Sequence, residues 1–164
     1  RLLDGEAVAV VGRVVAYSTL LTTVLWHRPC AFYSSAVMDK VRTVTGGADD
    51  GGQQHVIESP SIVFSDERAI KCLIDDGTGL VLIDLNDITR IHRYGPSTKP
   101  GIPHDSVPMG EKAVGRSHFE YTLEEGDTVR VLGTAKKELD DEFWRLVPDD
   151  ILELQQLDTI YTSS

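Results

Sequence analysis

Basic residues are scarce in this chain. Sixteen lysines and arginines stand against 26 aspartates and glutamates over 164 residues, giving a formal charge of −10 and a pI of about 4.8. So acidic an envelope repels nucleic-acid phosphate and anionic lipid, which disfavours both non-specific DNA or RNA binding and docking on a membrane through basic side chains. Cysteine is nearly absent: Cys30 and Cys72 are the only two, too few for a disulfide framework. Both lie in apolar, strand-like runs and are expected as buried free thiols. A single Cys30–Cys72 bridge, which requires their strands to pair and implies an oxidising compartment, is the alternative. Long hydrophobic runs are missing too. The longest apolar stretch, Ala7–Ala16, is interrupted by Gly12 and Arg13 and falls well short of the roughly 20 residues that cross a bilayer as a helix. No secretory leader is visible, and the chain opens on Arg1 rather than Met, as expected of a segment taken from a longer protein. The expectation is a soluble piece, compatible with membrane helices elsewhere in that protein.

The motifs of catalysis and metal binding are absent as well. His27, His55, His92, His104 and His118 are scattered, with no CxxC, HxxxH or HExxH pattern. His27 and Cys30 have ligand-like spacing and His104 stands beside Asp105, but surface histidines, with no metal and no other cofactor, are the expectation. Asp75, Asp76 and Asp84 bracket a turn and resemble paired carboxylates; aspartate in such turns usually bonds its own backbone amides. Oxygen ligands at alternate positions, which a calcium loop needs, are missing. Ser34, Ser35 and Ser59 lie near no Gly-x-Ser-x-Gly elbow, and Gly77-Thr78-Gly79 lacks the Gly-Lys-Ser/Thr of a phosphate loop. Cys30 as a nucleophile needs a base held beside it. The chain by itself is expected not to be an enzyme.

What is present is strand and turn. Ala7–Tyr17 is rich in valine, and Gly12 inside it marks a bulge or bend. Pro29 holds Arg28 extended. Cys30–Thr45 reads as one long strand, with Phe32, Ser34 and Ala36 on one face and Tyr33, Ser35 and Val37 on the other. A Gly-rich, mobile turn at Gly46–Gln54 leads to extended chain at Val56–Ser65, where Pro60 marks an edge or a bulge. Ala69–Ile74 and Leu80–Leu85 flank Asp75–Gly79 as a hairpin. Asn86–His92 is expected as a short helix capped by Asn86 or Asp87. Tyr94–Ser117, with four prolines and four glycines, reads as a long flexible loop. His118–Leu123, Thr128–Ala135 and Phe143–Val147 are strands, the first two joined by the turn Glu124–Asp127. Asp149–Ile160 carries Ile151, Leu154 and Leu157 at helical spacing and is read as a helix, with a closing strand as the rival. The fold class that follows is mostly β: one domain over residues 1–164, a small OB-like β-barrel with one or two short helices and the long loop at 94–117.

Four segments in this order carry a family resemblance: Val11-Gly12-Arg13-Val14, Arg28-Pro29-Cys30-Ala31-Phe32-Tyr33, Asp75-Asp76-Gly77-Thr78-Gly79-Leu80-Val81-Leu82-Ile83-Asp84, and Glu125-Gly126-Asp127-Thr128-Val129-Arg130-Val131-Leu132-Gly133. Their order and spacing resemble the GIDE-type ubiquitin ligase domain, also called the "beside a membrane" domain. The structural positions this resemblance picks out are Gly12, Pro29, Cys30, Asp76, Gly77, Gly79, Gly126, Asp127 and Gly133. Two departures stand out. Thr23-Val24-Leu25-Trp26-His27 replaces the family's Pro-Leu-Ser/Thr-Gly turn, and two cysteines cannot build the zinc-binding RING that carries ligase activity. The resemblance implies a non-catalytic, membrane-proximal domain that binds a protein partner, with hydrophobic helices flanking it in the full-length protein.

Trp26, in the irregular segment before Pro29, is expected as an exposed apolar tip. With His27, Arg28 and Tyr33 it forms the candidate binding set. The alternative function is an OB-like module for nucleic acid or oligosaccharide, with Trp26, Phe32, Tyr33, Phe64, Phe119, Tyr121, Phe143 and Trp144 as a stacking platform. Such platforms normally come with basic neighbours; the acidic balance argues against one here.

Overall fold

A computed structural model describes residues 2–46, 52, 54–137, 142–148 and 151–157. The described residues form twelve strands and one 3₁₀ turn. In order they are β1 (Ala7–Ala16), β2 (Leu21–Thr22), β3 (Pro29–Cys30), β4 (Phe32–Thr45), β5 (His55–Ala69), β6 (Lys71–Asp75), β7 (Leu80–Asp84), the 3₁₀ turn Leu85–Asp87, β8 (Arg90–His92), β9 (Ala113–Leu123), β10 (Thr128–Lys136), β11 (Trp144–Val147) and β12 (Glu153–Gln156).

Five of these strands close a barrel in the order β1-β6-β7-β11-β10 and back to β1. All contacts are antiparallel except β7 with β11, so the barrel is mixed, in line with the OB-like expectation. Closure depends on β1 serving two neighbours. Ala7–Arg13 pairs with β10, and Arg13–Ala16 pairs with β6. Gly12 stands where the strand changes partner. A Cβ on it would lie 2.3 Å from the Asp75 carbonyl oxygen, so only glycine lets the two backbones approach this closely.

Alternation fills the barrel. Val10 and Val14 of β1, Cys72 and Ile74 of β6, Val81 and Ile83 of β7, Val129 and Val131 of β10 and Leu146 of β11 form one buried cluster, joined by Leu152 and Leu154. Both cysteines are free and fully buried, so the bridge weighed above is not formed.

A second sheet, β5-β4-β9, is inserted between the barrel strands. β4 is its centre and β5 its edge. The Tyr33, Ser35, Val37 and Asp39 side of β4 is buried, whereas Ser34, Ala36 and Met38 are half-buried and Lys40 is exposed. β5 steps register by one residue opposite Val37/Met38, three residues from Pro60. Bulges and prolines are the usual protection of a long sheet edge.

Several expectations need correction. Of the helix expected at 149–160 the structure describes residues 151–157, and there Glu153–Gln156 is strand β12, the rival reading. Leu152 and Leu154 are fully buried while Ile151 is 44% exposed. A period of two wins over helical spacing because β10 has a vacant edge at Val129–Leu132, which β12 occupies. The helix at 86–92 shrinks to the 3₁₀ turn, and Asp84 rather than Asn86 or Asp87 caps it by accepting from the Asn86 amide; Arg90–His92 then extends to pair in parallel with β12. The single strand at 30–45 breaks at Ala31, whose amide bonds Leu123 and whose carbonyl takes the Ile70 amide. The long loop ends earlier than read, because β9 starts at Ala113 and pairs there with Val41. Most of the Gly46–Gln54 turn, and Asp149 and Asp150 at the start of the expected helix, lie outside the described residues.

Candidate functional site

The segment 23–28 is a tight excursion between the two-residue strands β2 and β3. Thr23 closes it: its amide donates to the Arg28 carbonyl, and its hydroxyl accepts from the Arg28 amide at 2.9 Å. Glu120, from the centre of β9, reaches into the excursion and is fully buried. Its carboxylate accepts from the Leu25 amide (2.9 Å), the Trp26 amide (3.3 Å) and the Ser35 hydroxyl (2.8 Å). This is how a buried acid is tolerated: polar hydrogens meet it from three directions.

Trp26 is thereby turned inward. It is half-buried, and its indole N–H donates to the Gly101 carbonyl at 3.1 Å, so the expected exposed tip is instead folded against the 94–112 segment. His27 has φ of 53°, an uncommon left-handed conformation for a residue with a side chain. Its ring stacks on His104, with centroids 3.9 Å apart and planes 10° from parallel. Arg28 makes a bidentate pair with Glu124, at 2.8 and 2.7 Å. Burial tends to raise the Glu124 carboxyl, but hydrogen bonds from Arg28 and Thr122 outweigh it and hold the group below its ordinary value. Tyr33 is elsewhere. It is 1% exposed on β4, and its hydroxyl donates to Asp66 on β5 at 2.5 Å; burial, then this bond, push it up to about 12. Trp26, His27 and Arg28 thus share one loop, while Tyr33 belongs to the sheet interior.

A second polar assembly locks the 102–108 stretch onto the same sheet. Arg116 of β9 meets Asp39 of β4 at 2.6 and 2.9 Å, Asp105 at 2.9 Å, and the carbonyls of Val107 and Pro108. His118 contacts the same Asp105 oxygen at 2.7 Å. Desolvation acts to raise the Asp105 carboxyl, but the His118, Val107 amide and Arg116 hydrogen bonds overcome it and bring it down to about 2. The bond from Arg116 likewise lowers Asp39. These charges are consumed in pairing, and among the described residues no group of three or more His, Cys, Asp or Glu side chains is placed to hold a metal.

The remaining predicted positions are architectural. Asp76 accepts from the Thr78 amide and hydroxyl and from the Gly79 amide, which is the turn role expected of it, and Gly77 and Gly126 supply the positive φ of their turns. Asp127 accepts from the Glu124 amide and Gln156; burial and its neighbour Glu124 raise its carboxyl. Pro29 and Cys30 form β3, and Gly133 lets Leu152 and the Val147 carbonyl approach β10. Among the described residues the aromatic rings meet in separate places: Arg93 sits over Phe32 and Tyr121, at 5.5 and 4.9 Å from their centroids, and Tyr17 meets Phe143 edge-on.

The surface that sequence reasoning missed is the outer part of the three-stranded sheet. Cross-strand partners share a face. One face therefore presents Ala36, Met38, Lys40, Arg42 and Val44 from β4, Ile62, Pro60, Glu58 and Val56 from β5, and Phe119, Ser117 and Gly115 from β9. A trough of about 360 Å³ opens across the three strands; its lining is mostly polar, with Asp39, Lys40, Glu58, Ser59, Arg116 and Ser117 beside Met38, Pro60 and Gly115. Glycine makes the space: a Cβ on Gly115 would meet nothing closer than the Lys40 Cβ at 4.0 Å. Glu58 pairs with Arg42 at 2.8 Å and Lys40 at 3.7 Å. The adjacent apolar pairs Val56-Ile57 and Ile62-Val63 were the available clue, because they place apolar side chains on both sides of one strand. No family model, curated protein or solved structure matches this chain.

Proposed function

We propose that this chain is a non-catalytic interaction domain of the membrane-proximal GIDE type, and that the outer β4–β5–β9 sheet is its binding surface. The observation that carries the reading is a concentration of apolar surface. Val44, Val56, Ile57, Ile62, Val63 and Val114 are all on this sheet, and each is more than a third exposed. These side chains are distributed over both faces of the sheet, with Val44, Val56 and Ile62 together on one of them, and exposed apolar surface concentrated in this way marks a place meant to be covered. The charged groups that could otherwise suggest chemistry are engaged in fastening loops to the sheet. The GIDE assignment is supported by the order of the four motifs and by the turn and corner positions that Gly12, Gly77 and Gly126 occupy. No described helix is long and apolar enough to cross a membrane, so membrane attachment in this proposal falls to other parts of the full-length protein.

Site-specific photocrosslinking in the full-length protein, in its native cell, tests the surface. Probes at Val44 and Ile62 are expected to give discrete protein adducts, and a probe at Thr78 in the β6–β7 turn none. Equal yields at all three positions would remove the sheet from consideration. Fractionation of the same protein tests the second half of the proposal: it is expected with membranes, and quantitative recovery in the soluble fraction refutes membrane proximity.

A further inference from the structure

We infer that the open edge of β8, together with Arg93, is a docking groove for an extended peptide segment that carries a carboxylate side chain. The groove is separate from the outer part of the three-stranded sheet and stands whether or not that surface binds a partner. β8 ends the seven-stranded sheet and, among the described residues, pairs only with β12. The Arg90 amide faces β12, donating to the Leu152 carbonyl. Alternate residues of a parallel strand bond the same neighbour, so Ile91 turns its N–H and C=O to the open side. No proline or register step interrupts this edge, and outward backbone groups are a template for a further strand. Two such groups are few, so the surroundings must supply the rest of the grip.

A cleft of about 260 Å³ lies beside the edge, bounded by Glu67, Arg68 and Ala69 of β5 and by the 3₁₀ turn. Its lining is half apolar, where Phe32, Leu85, Ile88 and Ile91 meet, and half polar. The volume falls below the roughly 300–1,000 Å³ of small-molecule sites and suits one apolar side chain of a peptide whose backbone follows β8. Arg93, the residue after β8, supplies the specificity. Its guanidinium lies over the rings of Phe32 and Tyr121, and its side chain is 27% exposed. Among the described residues it donates no hydrogen bond, and its ion pair with Glu67 is long, at 3.8 Å. The other partly buried arginines are fully engaged, Arg28 by Glu124 and Arg116 by Asp39 and Asp105. A guanidinium fork braced against two rings, with its donors unspent, is a receptor for a carboxylate.

Charge selects among anions. Arg68, Arg90 and Arg93 stand here against Glu67 and Glu153, the latter paired with Arg90 at 3.9 Å and His92 at 3.1 Å. The local balance is positive in a chain of −10. Salt at about 0.15 M screens charges more than about 8 Å away, so a single carboxylate in the groove feels the arginines rather than the rest of the surface. A nucleic acid carries charge along its whole length and meets the acidic envelope on either side. Its phosphodiester backbone also lacks the alternating donor and acceptor that match the N–H and C=O of Ile91.

Selection of a random phage-displayed peptide library against the full chain, at physiological salt, tests this. Binders are expected to share an apolar residue and an aspartate or glutamate. The strongest binder, as a synthetic peptide, is expected to protect the Ile91 amide from hydrogen exchange. By fluorescence anisotropy it is expected to lose at least about tenfold in affinity with Arg93→Gln. Replacing the peptide's acid by its amide is expected to cost as much on the wild-type chain and nothing further on Arg93→Gln, a coupling that a merely structural arginine would not give. Arg93→Lys keeps the charge without the fork and is expected to fall between; Ile102→Glu, on the 94–112 segment, is expected to change nothing. Circular dichroism checks that the variants fold, and the amide-for-acid peptide reads the same contact on the wild-type chain if one does not. A library that yields no binder overturns the inference, as does a binder indifferent to Arg93 or one that leaves the Ile91 amide exchanging freely. A binder abolished by Ile62→Glu but not by Arg93→Gln also overturns it, while the reading of the outer sheet survives. Oligothymidine that binds at Arg93 more tightly than any selected peptide would assign the groove to nucleic acid instead.

Discussion

Replacing Glu120 with alanine is the sharpest test of how this domain holds its loops. The side chain is fully buried and takes three hydrogen bonds, from the amides of Leu25 and Trp26 and from Ser35. The Ser35 hydroxyl can rotate toward another acceptor, but the two amides are fixed by the backbone. Each buried donor left without a partner costs about 1–3 kcal/mol, so Glu120→Ala is expected to lose roughly 2–5 kcal/mol of the 5–15 kcal/mol that stabilises a typical domain. Glu120→Gln keeps one oxygen, enough for Leu25 and Ser35, but turns an amide N–H₂ toward the Trp26 N–H; its expected loss is smaller, roughly 1–2 kcal/mol. Urea unfolding followed by circular dichroism gives the totals. Native-state hydrogen exchange gives the location: protection of the Leu25 and Trp26 amides is expected to collapse in the alanine variant before that of Val10 or Val131 in the barrel. A Glu120→Ala loss below about 1 kcal/mol, with those two amides still protected, would refute the claim that this carboxylate pins the excursion.

Three other outcomes follow from the same geometry. Gly12→Ala puts a Cβ into the Asp75 carbonyl, so β1 must separate from β6; a loss of about 2–4 kcal/mol in urea is expected, and a wild-type midpoint would show that the corner does not need glycine. Asp105 has its carboxyl held at about 2 in the fold, below the ordinary carboxylate value near 4 of an unfolded chain. Its contribution is therefore present above about pH 4 and is lost as the pH falls toward 2; Asp105→Asn is expected to be less stable at pH 7 and to flatten the stability decline over that window, and an unchanged acid limb would refute it. Burial, aided at Cys30 by Glu124 and Glu120, pushes both thiols up to about 12, so iodoacetamide at pH 8 is expected to label neither in the native chain and both in denaturant; rapid native labelling would contradict their burial.

Local chemistry is what made much of the barrel legible. Val129 and Val131 in Thr128–Lys136 alternate at a period of two, the valine-rich run Ala7–Ala16 buries Val10 and Val14 on one side, and the turns around Gly77 and Gly126 need the positive φ that glycine supplies. The parallel pairing of β8 with β12 left no such trace, because strands of three and four residues are selected by a vacant neighbouring edge rather than by their own sequence. Glu120, Asp39 and Arg116 were overlooked for a related reason. A charged residue in a strand pattern reads as solvated, and only the fold reveals that its partner lies 77 or 95 positions away. Trp26 was placed correctly in an irregular segment, but its orientation depends on Gly101, far along the chain. The outer sheet face was hidden because apolar residues in a strand are ordinarily assigned to a core.

The barrel and the three-stranded sheet are interleaved along the polypeptide. β4 and β5 lie between the first and second barrel strands, whereas β9 is made only after the third. A nascent chain therefore presents β4 with one flank bare until β9, starting at Ala113, has been made, and the β4–β5 pair cannot be transplanted into another scaffold, or trimmed out of this one, without stranding β9.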